Sequence, residues 1–132
     1  MNSPALPYTL FFEERPHYLY VRVTADRVDP AIAMSYLTEI AKRFNGLSQK
    51  KLMLERCIPA MLPDEDLKKA TLEFFEMIGH ARAALVNPYL SFDGAIEAAM
   101  LMGSMYGVNF RLFNDPILAE EWLLEPDATE SL

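Results

Sequence analysis

Two hydrophobic periods take turns along this chain. Tyr8-Thr9-Leu10-Phe11-Phe12 is a short aromatic and β-branched run. Glu14-Arg15-Pro16-His17 reads as a turn, because proline presets one backbone angle. From Tyr18 to Thr24 the pattern alternates strictly, with Leu19, Val21 and Val23 on one face and Tyr18, Tyr20, Arg22 and Thr24 on the other. Two such runs across a short turn predict an antiparallel hairpin. Asp29-Pro30 then signals a helix start, since Asp caps free N–H groups and Pro at the first position loses no bond. Ala33, Leu37, Ile40, Ala41 and Phe44 follow at helical spacing, and Asn45-Gly46 is expected to stop the helix in a left-handed turn.

The period returns to strand over Lys51 to Cys57. A second helix is expected from Asp64 to Gly79, with Leu67, Thr71, Phe74, Phe75 and Ile78 on its apolar side. Ala83 to Val86 reads as a short buried strand, followed by a turn at Asn87-Pro88. A third helix is expected over about Ser91 to Tyr106, rich in Ala, Gly and Met and closed by Gly107. Val108 to Phe113 is the last strand, and Asp115-Pro116 leads into a final helix ending at Leu124. The order ββαβαβαβα predicts an α/β fold with a mixed, mainly parallel five-stranded sheet and right-handed crossovers.

The strand faces refine this picture. Leu52 and Leu54 oppose Met53 and Glu55, while Val108, Phe110 and Leu112 oppose Asn109, Arg111 and Phe113. Sheets covered on both sides read as continuous apolar runs. This alternation predicts helices mainly on one face. The other is expected to stay open, as a solvated surface or an interface carrying Tyr18, Tyr20, Arg22, Arg111 and Phe113.

Length and charge set limits. The 132 residues make one domain, with its core at about residues 8–124. Twelve Lys and Arg against nineteen Asp and Glu give a net charge of −7. That balance argues against gripping phosphate backbones, so no nucleic-acid partner is expected. The second half carries most of the excess, and Glu120, Glu121, Glu125, Asp127 and Glu130 read as a solvated terminal helix and tail. Met1 to Pro7 lacks a basic, apolar leader, and no stretch approaches a transmembrane segment in length. A cytoplasmic location is the expectation. The single Cys57 fits it and excludes an internal disulfide.

The closing run Phe113, Asp115, Ala119, Trp122 and Leu123, together with the opening hairpin and the Asp-capped helix, resembles the bacterial SpoIIAA-like group of STAS/Sec14-like domains. The likeness spans about residues 8–124. It implies a fold of successive βα units and no enzymatic activity. Among the relatives that it evokes, STAS domains are regulatory interaction modules and Sec14-type domains carry lipids. Anti-anti-sigma factors of the group are switched by phosphorylation of a serine at the start of the helix after the third strand. That switch does not carry over, because no Ser or Thr lies between Ser48 and Thr71.

No catalytic constellation is apparent. His17 and His80 stand outside any metal-ligand spacing, so neither metal nor cofactor is expected. Cys57 has no base near it in sequence and reads as a buried structural cysteine. Asp64, Glu65 and Asp66 sit where a helix dipole favours anions. The loops after the parallel strands are more informative, because ligands of open α/β sheets favour that end. Ile58, Met61 and Leu62 in one loop and Tyr89, Leu90 and Phe92 in another are unusually apolar for loops. Met100, Met102 and Met105 add adaptable side chains nearby. The expected function is thus a non-catalytic binding or regulatory role, through a protein partner or homodimer. The alternative is a carrier or sensor of a hydrophobic, lipid-like small ligand at loops 58–63 and 87–92.

Overall fold

A computed structural model of the chain describes residues 6–101 and 103–126. Met102, Asp127 and Glu130, singled out above, lie outside the described residues. The five strands are β1 (Thr9–Glu14), β2 (Leu19–Thr24), β3 (Lys51–Cys57), β4 (Arg82–Val86) and β5 (Asn109–Phe113). They lie in one sheet in the order β1-β2-β3-β4-β5. The hairpin β1–β2 is antiparallel, and every later pair is parallel. Phe11 stands opposite Arg22, and Leu19 is level with Leu52.

Helices α1 (Pro30–Asn45), α2 (Asp64–Ile78) and α3 (Asp93–Met100) occupy one face. The topology requires this. Each new parallel strand is added on the same side of the last, so connections of one hand all fall on the same face. Ile40 and Phe44 of α1 and Phe74 and Phe75 of α2 pack there against Leu19, Val21, Leu52, Leu54 and Leu85. Phe75 and Phe110 stack with centroids 4.8 Å apart.

Helix α4 (Pro116–Leu124) lies on the opposite face, which corrects the expectation of a bare second side. It is the last element and crosses over to no further strand, so the handedness rule does not constrain it. Its Ala119, Trp122 and Leu123 form a second core with Tyr18, Tyr20, Met53, Ala84 and Val86. The helix rests on β3 and β4 and reaches β5. Tyr18 and Tyr20, expected on an open surface, are 2% and 4% exposed. Arg82, pointing to the same face, lies 4.4 Å from the Trp122 ring and bonds the Glu125 carbonyl at 3.0 Å.

Local stops and starts follow from residue chemistry. Asp29 Oδ1 accepts from the Ile32 N–H at 2.8 Å, and Asp115 Oδ1 from the Ile117 N–H at 2.9 Å. Gly46 is not left-handed as expected. Its φ is −77°, and α1 closes through tight Gly46-to-Arg43 and Leu47-to-Phe44 bonds instead. Gly107 does take a positive φ of 79°, and a Cβ there would meet His80 Nδ1 at 2.2 Å. The expected third helix is shorter than its apolar pattern suggested. Regular α-helix covers only Asp93–Met100, flanked by 3-10 turns at Leu90–Phe92 and Gly103–Tyr106. Glycine inside a helix costs about 1 kcal/mol relative to alanine, and Gly103 falls where the α-helix has already given way.

Because Trp122 fills the second core, Trp122→Ala should lower stability by about 3–5 kcal/mol. Urea denaturation followed by circular dichroism checks this, with the loss read from the transition midpoint.

Candidate functional site

The loops at the carboxyl end of the sheet are held by Arg56. Leu52, Leu54 and Arg56 alternate inward along β3, so the guanidinium enters the layer between sheet and helices. It is 6% exposed. Its Nη1 donates to the Ile58 carbonyl at 2.9 Å and its Nη2 to the Ala60 carbonyl, which folds the loop back over the strand end. Nη2 also lies 3.9 Å from Met61 Sδ, and the Phe92 ring centroid is 5.8 Å from the guanidinium carbon. A cavity of about 70 Å³ opens beside it, between the sheet and helices α1, α2 and α3. Leu37, Leu67, Phe74, Ile96 and Met100 contribute to its wall.

The six loop residues expected at a ligand site divide among different surroundings. Met61 and Leu62 line the cavity. Ile58 is fully buried in the main core. Tyr89 and Phe92 are partly buried and face each other at 6.0 Å. Leu90 is 66% exposed. Among the described residues there is no crevice of the doubly wound kind, because such crevices form where strand order reverses and the order β1-β2-β3-β4-β5 does not reverse. Arg56 was not foreseen as part of the site. Extending the Leu52, Leu54 alternation by one more step is the signal that points it inward.

Asn87, also fully buried, organises the neighbouring loop. Its Nδ2 donates to the Tyr89 carbonyl at 2.8 Å and to Asp93 Oδ1 at 3.1 Å. Asn114 Nδ2 donates to the Asn87 carbonyl at 2.9 Å and to Asp93 Oδ2 at 3.1 Å.

The second surface is the strip of β1 and β2 beside α4. Arg15 pairs with Glu13 at 2.5 Å and lies 4.2 Å from the Tyr20 ring. The Tyr20 hydroxyl donates to Glu55 Oε1, which also meets Arg22 Nε at 3.3 Å. Arg22 lies 5.5 Å from the Phe11 ring, and Phe11 is 46% exposed. Of the residues expected on an open interface, Arg22 and Arg111 are exposed. Phe113 is half-buried against Trp122, with centroids 5.7 Å apart.

Among the described residues no cluster of three His, Cys, Asp or Glu side chains is arranged to hold a metal ion. Burial pushes the Cys57 thiol pKa up, and Glu55 adds to the rise, which disfavours the nucleophilic thiolate. Burial also raises the Tyr36 pKa, with the Arg56 charge opposing it. Tyr20 is raised by burial and by Glu55. A phenol whose pKa is higher when folded contributes stability that is intact below the unfolded value, about 10, and lost as pH rises through the folded value. Stability should therefore fall above about pH 10. Urea midpoints measured across that range should decline, and the decline should be shallower in Tyr36→Phe.

No protein-family model matches the sequence, and no curated protein matches it. Solved structures do match the fold. One is an anti-sigma factor antagonist from Mycobacterium paratuberculosis, with a TM-score of 0.62 and 16% identity, covering 94% of this chain and 100% of that one. Another is an uncharacterised protein with a SpoIIAA-like fold from Shewanella loihica, with a TM-score of 0.56 and 15% identity, covering 93% of this chain and 98% of that one. With the element order and sheet topology described above, these likenesses show that the chain has the SpoIIAA-like fold.

Proposed function

We propose that the protein is a non-catalytic regulatory module that acts by binding a second protein chain at the β1–β2 strip. The observation that carries this reading is Phe11, a half-exposed aromatic at the margin of the sheet. It lies against an exposed Arg22 on the part of the face that α4 leaves uncovered. Aromatic and arginine side chains are the commonest energetic anchors of protein interfaces. Strand β1 is also an edge strand, and among the described residues no strand pairs with its outward backbone groups. The strip carries both charge signs, with Arg15, Arg22, Glu13 and Glu55 close together, which suits a protein surface better than a polyanion. The likeness to an anti-sigma factor antagonist supports a regulatory role. A cytoplasmic setting fits the lone Cys57.

The partner is either a different protein or a second copy of this chain. A photo-crosslinking phenylalanine analogue at position 11 tests the reading in the cells that make the protein. The expected outcome is a discrete adduct, hetero- or homotypic, that Arg22→Glu reduces and that the same analogue at Glu65 on α2 does not give. The absence of an adduct at position 11, or an equal yield from Glu65, overturns it. Light scattering of the purified protein separates the homotypic case.

A further inference from the structure

Among the described residues two arginines, Arg56 and Arg82, are buried, and their surroundings differ. Arg82 has a carboxylate in reach, with Glu125 Oε2 3.6 Å from its Nη2. Arg56 has none within ion-pair distance among the described residues. The acceptors described for it are two backbone carbonyls, a thioether sulfur and the buried Tyr36 side chain, none of which carries a full negative charge. A buried charge is costly unless it is paired, and neutral acceptors compensate it only in part. A guanidinium carries five N–H donors, and two of them placed side by side match the two oxygens of a carboxylate.

We propose that the cavity beside Arg56 binds a short aliphatic carboxylate, with the head group on the guanidinium and the chain between α2, α3 and the sheet. The wall chemistry favours an apolar tail, since Leu37, Leu67, Phe74, Ile96 and Met100 all face the space. Size restricts its length. At about 70 Å³ the cavity is roughly half of one that accepts benzene, about 150 Å³. A few carbon atoms fit and a long acyl chain does not. The lining residue Met61 is unbranched and adaptable, and its sulfur lies 3.9 Å from the arginine. The site lies on the helix-covered face, opposite the β1–β2 strip, so it stands independently of the partner-binding reading.

The test uses the full chain with methyl-labelled methionine and compares sodium butyrate with its neutral isostere butyramide by NMR titration. Butyrate is expected to shift the Met61 and Met100 methyl signals and to bind at least about tenfold more tightly than butyramide. Decanoate is expected not to bind there. Arg56→Met should abolish the preference for the charged ligand. Ala70→Leu, which fills the space from α2 while keeping the arginine, should weaken both ligands by about tenfold or more. Equal affinity of butyrate and butyramide overturns the proposal, as does an absence of shifts at Met61 and Met100. A preference that survives in Arg56→Met overturns it too. Should Arg56→Met fail to fold, the comparison of the two ligands on the unaltered protein decides the matter alone.

Discussion

A β-sheet has two faces, and whatever is apolar on either must be kept from water. This requirement governs the molecule. The connections between parallel strands supply three helices to one face, because strand order and handedness leave them no other place. The second face has its own apolar set in Tyr18, Met53, Ala84 and Val86, which those helices cannot reach. Only the terminal helix is free to cover it. Trp122 is the side chain large enough to span that core, and Arg82 adds a cation against its ring at 4.4 Å. The cover is incomplete. Helix α4 spans β3 and β4, so the hairpin side keeps a margin of sheet with Phe11 and Arg22 in contact with water.

Much of this architecture was legible in the residues. Strict alternation from Tyr18 to Thr24 located β2, and Asp29-Pro30 and Asp115-Pro116 marked two helix starts that the Asp side chains do cap. The side taken by α4 was not legible. Ile117, Leu118 and Leu124 remain exposed while Ala119, Trp122 and Leu123 are buried, so the helix is apolar nearly all round and its pattern names no inward face. The third helix is shorter than its pattern suggests for a related reason. Ala, Gly and Met give an apolar run without the periodic polar positions that distinguish a sustained helix from successive short turns.

The apolar loops show the same division. Their hydrophobic character was visible in sequence, but it arises from several causes. Ile58 belongs to the core, and Met61 and Leu62 line a cavity. Leu90 faces solvent. What gathers the first loop is a charged residue, Arg56, whose donors reach the carbonyls two and four positions ahead. The loop's apolar residues carry no sign of the cation beneath them. The charge lies inside because strand alternation continues to the end of β3, whatever residue occupies the position.

The contact among Asn87, Asp93 and Asn114 joins parts of the molecule that the sheet otherwise separates. Asp93 opens α3 on one side, and Asn114 leads directly into α4 on the other. Both layers are thus pinned to one polar knot at the rim. The rim therefore ties the start of α3 on one face to the lead-in of α4 on the other through a single carboxylate.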